Sequence, residues 1–144
     1  MSMQQIIDFT SALDGVVVLA PQPGSAFPEI GWGDHFFYYS ADGTIPQRGQ
    51  PFATIITKNY PDDDRNDLDA PGRYRVNVHV GRSRLTDLVG EDAADPTAPD
   101  QVIAHPLYAR QGWVAVVCLS EQSLDLVTGL IQEAHAAAAA RSER

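Results

Sequence analysis

Between Tyr74 and Val80 the side chains alternate: Tyr74, Val76, Val78 and Val80 are apolar, while Arg75, Asn77 and His79 carry a guanidinium, an amide and an imidazole. A period of two is the signature of a strand with one face in a core, so the three polar groups share the other face. Arg75 can fork onto a carboxylate or another anion, Asn77 offers donors and acceptors, and His79 can exchange protons near neutral pH. Such a set can hold a polar ligand. With His79 as acid/base, Arg75 gripping an anionic group and Asp34 or Tyr38 assisting, it could also act on a small anionic or aromatic metabolite. His79 and Asp34 are therefore the candidate catalytic residues; Arg75, Asn77, His79, Tyr38 and Trp32 are the candidate ligand contacts. A solvated sheet face or a contact in a homodimer would show the same alternation, and the alternation alone does not separate the three.

Other chemically suggestive residues carry less. Asp62, Asp64 and Asn66 match the first three ligand positions of a calcium loop, but Asp67 stands where that loop needs glycine and Arg73 where it needs glutamate. His35, His79, His105 and His135 form no paired ligand spacing, so no metal is expected. Lys58, the only lysine, follows an apolar strand beside Tyr60; its expected role is to reach solvent from the strand end rather than to serve as a nucleophile. Ser83, Ser120 and Ser123 sit at predicted helix starts, where capping accounts for them, and Gly31-Trp32-Gly33 precedes a strand instead of opening a helix. No cofactor is expected.

The elements that must position these residues follow from pattern. Ser2 and Gln5 have capping-box form, and Ile6, Phe9 and Leu13 follow at helical spacing, predicting a helix from Met3 to about Leu13. Val16 to Leu19, Asp34 to Tyr39, Phe52 to Lys58, the strand through Arg75 and Trp113 to Leu119 read as strands. The last is apolar on both faces, which places it inside the sheet. Residues 60–72 contain two prolines, a glycine and several aspartates and read as a loop, and 90–100 as a mobile acidic loop. Ser83 could cap a short helix through Val89, and His105-Pro106 could end a helical turn. Ser120 can cap a final helix over about 121–141 whose Leu124, Val127, Ile131, Ala134 and Ala138 form one stripe. The order α-β-β-β-β-α-β-α predicts a single α+β domain over 1–144. Its sheet is mostly antiparallel, has about five strands, and carries the N-terminal and C-terminal helices on one face. The aromatic run Phe36 to Tyr39 must then send alternate rings to the other face, where they need a cover.

Composition narrows the partners. A net charge of −9 repels phosphate backbones, so this acidic chain is not expected to bind nucleic acid, although Arg73, Arg75, Arg82 and Arg84 are the nearest thing to a basic patch. Cys118 is the only cysteine and lies in an apolar run, so it reads as a small buried hydrophobe and a cytoplasmic setting is the default. No stretch approaches the roughly 18 apolar residues of a spanning helix, and Met1 to Phe9 lacks the features of a signal peptide; a soluble, unprocessed chain with no membrane partner is expected.

In its segments FPEIGWGDHFFYYSADG, PFATIITKNYPDDD, LDAPGRYRVNVHVG and VIAHPLYARQGWVAVV the chain resembles an uncharacterised, mainly actinobacterial domain-of-unknown-function family. The resemblance spans nearly the whole length and implies no activity, cofactor or catalytic residue. More distantly, the plan of N-terminal helix, strand meander, His-Pro-x-Tyr segment, Trp-initiated strand and C-terminal helix is similar to YjbR/MmcQ-like proteins. These are often described as DNA-binding by fold analogy, which does not transmit function. The sequence therefore leads to a small domain that binds a small-molecule ligand or a protein, itself included. An enzyme using His79 is the alternative, and nucleic-acid binding a second one.

Overall fold

The computed structural model describes residues 3–46, 49–89 and 95–142. The capping residue Ser2 and the first half of the acidic loop at 90–94 lie outside the described residues. Helix α1 (Met3–Ser11) leads into strand β1 (Val16–Leu19) through a turn at Gly15, whose φ of 72° is open to glycine. Strands β2 (His35–Tyr39), β3 (Ala53–Ile56) and β4 (Arg75–His79) follow, then helix α2 (Arg82–Val89), strands β5 (Val102–Ala104) and β6 (Trp113–Val117), and helix α3 (Glu121–Ser142).

The six strands form one sheet in the order β1-β2-β3-β4-β6-β5, every neighbouring pair antiparallel. The class is α+β, as expected, with one strand more than the pattern indicated. The extra strand, Val102–Ala104, stands at an edge and pairs only with β6. The segment before His105 is thus extended instead of helical. Registers place Val76 and Val78 of β4 beside Ile55 and Ala53 of β3 and beside Val116 and Val114 of β6. With Phe37 these residues meet Ile6 of α1 and Val127, Leu130, Ile131 and Ala134 of α3 in one buried core, against which Leu85 and Leu88 of α2 also pack. Each fully buried aliphatic side chain there contributes about 1.5–3 kcal/mol of transfer free energy. All three helices therefore cover the same sheet face.

Local details depart from the sequence expectations at two points. Helix α2 begins at Arg82, so Ser83 lies inside its first turn instead of capping it. Cys118 is only partly buried and has a φ of 47°, because it turns the chain out of β6 rather than continuing the strand. At α3 the expected cap is present in a shared form. Ser120 Oγ accepts the Gln122 N–H at 3.2 Å while its own N–H donates to Asp100 Oδ1 at 2.7 Å. No helix among the described residues is long and apolar enough to cross a membrane.

Candidate functional site

The face opposite the helices carries the other register rows: Phe36 beside Thr54, Thr54 beside Asn77, Asn77 beside Ala115, and Arg75 between Ile56 and Val117. Loop 57–73 folds over one end of this face, where Leu68, Ile56 and Val117 form a small second core with Phe36, Tyr60 and Cys118 around it. Between that loop and the segment 105–111 lies a cavity of about 580 Å³. Phe36 and Tyr38 of β2, Thr54 and Ile56 of β3, Arg75 and Asn77 of β4 and Trp113 of β6 line it from the sheet. Tyr60, Asp62, Asp63, His105, Tyr108 and Gln111 close in from the loops. Its size falls within the range of small-molecule sites, about 300–1,000 Å³.

Arg75 is only 2% exposed, and its charge is met inside the chain. Nη1 donates to Asp63 Oδ1 at 2.8 Å and Nη2 to Oδ2 at 2.7 Å, a bidentate pair, while Nη1 also donates to Asn66 Oδ1 at 2.8 Å. Burial pushes the Asp63 carboxyl up, but the hydrogen bonds and charge of Arg75 outweigh it and hold the group below its ordinary value. Asp63 and Asn66, two of the aspartate-loop residues, thus serve the guanidinium. Asn77 donates from Nδ2 to Thr54 Oγ1 at 2.9 Å. Two buried polar atoms in these floor residues, Arg75 Nε and Asn77 Oδ1, have no hydrogen-bond partner among the described residues.

His105 is a third polar group of the lining, 4% exposed. Its Nδ1 accepts the backbone N–H groups of Leu107 and Tyr108 at 3.1 and 3.2 Å, which fixes the proton on Nε2. Burial first, and the charge of Arg75 second, lower its pKa to about 4, against a smaller opposing pull from Asp63. The ring is therefore a neutral N–H donor at neutral pH. It orders the turn before Tyr108, as its place before Pro106 suggested, and lines the cavity as well.

The remaining sequence candidates are placed elsewhere. Asp34 is fully buried and accepts from Thr57 N and Oγ1 at 2.8 and 2.6 Å, Lys58 Nζ at 3.1 Å and Tyr60 Oη at 2.5 Å. It is the post to which the end of β3 is tied, and it is not part of the cavity lining. Lys58 also donates to the Trp32 carbonyl at 2.7 Å, so its amine is spoken for. Burial and the Asp34 hydrogen bond raise the Tyr60 pKa well above its ordinary value, which keeps that phenol a donor. Trp32 donates its indole N–H to the Phe27 carbonyl at 3.0 Å and lies outside the lining. His79 is on the cavity face but at the strand end, where its Nε2 lies 2.8 Å from the Gln111 carbonyl and its ring tilts against Trp113, and it too is outside the lining. Of the expected contacts, the cavity brings together Arg75, Asn77 and Tyr38, and adds Tyr60, His105, Tyr108 and Trp113.

The fold and this face together define a small α+β domain with an aromatic-walled cavity over its open sheet surface. The chain belongs to a family of unknown function, DUF6194, which it matches over residues 1–144. No curated protein matches it, and no solved structure does.

Proposed function

We propose that this domain binds a small molecule in the cavity over β2, β3, β4 and β6. The observation that carries the reading is the cavity itself, about 580 Å³, walled by Phe36, Tyr38, Tyr60 and Trp113 with Asn77 in its floor. Binding is favoured over acid/base catalysis, because His79 is tied to the Gln111 carbonyl outside the cavity and His105 stays neutral down to about pH 4. It is favoured over nucleic-acid binding as well. Arg75 is paired internally, Arg73 donates to the carbonyls of Asn66, Asp67 and Thr97, and Arg84 pairs with Glu133, which leaves little of the basic patch for phosphates. In this reading the setting is the cytoplasm, which the single unpaired Cys118 suits.

Thermal-shift screening of a metabolite library against the wild-type chain and Asn77→Leu tests it. A ligand at a hundred times its Kd stabilises the state it binds by about 2.7 kcal/mol, a shift of several degrees. The expected result is at least one compound that shifts the wild type and shifts Asn77→Leu much less. A library that moves neither protein, or moves both equally, overturns the proposal.

A further inference from the structure

We infer that the ligand is a small organic cation, an N-alkylated ammonium with an oxygen acceptor a short chain away, and not an anion. This rests on the cavity being a binding site. Its charged lining residues are Asp62, Asp63 and Arg75. Arg75, which on sequence grounds promised an anion anchor, is already neutralised by Asp63 in a bidentate pair. What is left over is Asp62, an exposed residue with no ion-pair partner among the described residues, in a chain of net charge −9. An entering anion therefore meets no free cation, whereas an entering cation meets an unpaired carboxylate. The walls choose a cation over a neutral molecule. Phe36, Tyr38, Tyr60, Tyr108 and Trp113 line the space, and no ring contact among the described residues joins two of them, so their π-systems are not spent on one another. Such rings attract a cation held over their faces and give a neutral group of the same shape only dispersion. Tyr60 is enriched further, because its hydroxyl donates to the Asp34 carboxylate at 2.5 Å and so sends electron density into the ring. Alkyl groups on the nitrogen suit these walls, since each one removes an N–H that would need an acceptor of its own.

The oxygen follows from His105. Its Nδ1 is taken by the Leu107 and Tyr108 amides, which leaves the proton on Nε2. That N–H has no partner among the described residues, and unlike Arg75 Nε and Asn77 Oδ1 it is not sealed off from solvent, while His105 itself is 4% exposed and lines the cavity. A hydroxyl, ether or ester oxygen on the ligand answers it.

Choline and three compounds of nearly the same shape separate the chemistries: 3,3-dimethylbutan-1-ol lacks the charge, 3,3-dimethylbutanoate reverses it, and propyltrimethylammonium lacks the oxygen. Binding to the full chain is read by isothermal titration and by chemical-shift changes at the Trp113 indole, with Trp32, outside the lining, as internal control. Choline should bind about tenfold tighter than the alcohol, the worth of a desolvated cation over aromatic rings, and the carboxylate no tighter than the alcohol. Loss of the oxygen should weaken binding about fivefold, the worth of one hydrogen bond. In Asp62→Asn, a change at an exposed position, the gap between choline and the alcohol should narrow about two- to fivefold. Alcohol or carboxylate binding as tight as choline overturns the inference about class while leaving the cavity a binding site. Equal binding of propyltrimethylammonium overturns the oxygen contact, and an unchanged gap in Asp62→Asn overturns the role of Asp62. If none of the four moves the Trp113 signal at millimolar concentration, the class inference also falls, and the library screen alone judges whether the cavity binds anything.

Discussion

The neutral state of His105 makes a quantitative prediction about stability. An imidazole with pKa 6.5 when the chain is unfolded and about 4 when folded binds its proton more readily in the unfolded state. Its contribution is fully present above pH 6.5 and is lost as pH falls through the interval down to about 4. At about 1.4 kcal/mol per unit, the whole interval is worth about 3 kcal/mol, of which about 2 kcal/mol has gone by pH 5. Asn is the replacement that isolates this effect, since its Oδ1 can take the Leu107 and Tyr108 N–H groups that Nδ1 accepts. Urea unfolding of the wild type at about pH 7.5 and about pH 5 should show a loss larger by about 2 kcal/mol than in His105→Asn. Burial lowers the pKa of His35 too and gives the same sign in both proteins, so it drops out of the difference. Asp63 is depressed, so its contribution is lost only in more acidic solution, below its unfolded value of 3.8. Equal pH dependence in the two proteins, or an NMR titration of the His105 ring with a midpoint near 6.5, would refute the argument that burial and Arg75 keep this ring neutral.

Two further substitutions probe what shapes the site. Asp63→Ala leaves the Arg75 guanidinium buried without its counter-charge and should cost about 3–5 kcal/mol in denaturant unfolding. The double change Arg75→Met with Asp63→Leu should recover much of that loss, and a double variant as unstable as the single one would show that the pair's charge is not what matters. Gly112 has a φ of 90° and a Cβ there would come within 2.6 Å of Gly81 Cα, so Gly112→Ala should cost about 3 kcal/mol. A melting temperature unchanged from wild type would mean that the close crossing of these two glycines is not required.

Regular elements were legible because period and caps are local. The alternation through Val76 and Val78 set both the strand and its buried face, and the stripe Val127, Ile131 and Ala134 set the inward side of α3. The edge strand Val102–Ala104 was not, since three residues are too few to show a period and its pairing with β6 is a tertiary fact. The site divides along the same line. Arg75, Asn77 and Tyr38 could be named from their strand positions, whereas Tyr60, Asp63, His105 and Tyr108 reach the cavity from loops, where spacing carries no facing information. His79 shares the right face by parity, yet parity says nothing of strand ends, and there Gln111 and Trp113 claim it. The Asp34 carboxylate shows the same limit. An acidic residue before an aromatic strand looks reactive in sequence, and only the fold shows four donor atoms converging on it.

The ion pair between Arg75 and Asp63 also constrains how a ligand could enter. Asp63 is bridged to Tyr60 through reciprocal backbone hydrogen bonds of 3.1 and 3.0 Å, so the residue that neutralises the floor is on the same tight turn as a wall of the cavity. Asn66 extends the tie, accepting from Arg75 and donating to the Pro96 carbonyl at 2.5 Å. Lifting this loop to admit a ligand would separate a buried charge pair, a step that costs several kcal/mol. The opposite rim is held more lightly. Tyr108 is 48% exposed and borders the short 3-10 turn Ala109–Gln111, whose side chains pack into no core. For a ligand of the proposed kind, entry would be cheapest past Tyr108, with the loop 57–73 wall left standing. A cavity whose charged floor and nearest wall are locked together before binding spends little of the ligand's interaction energy on ordering the protein.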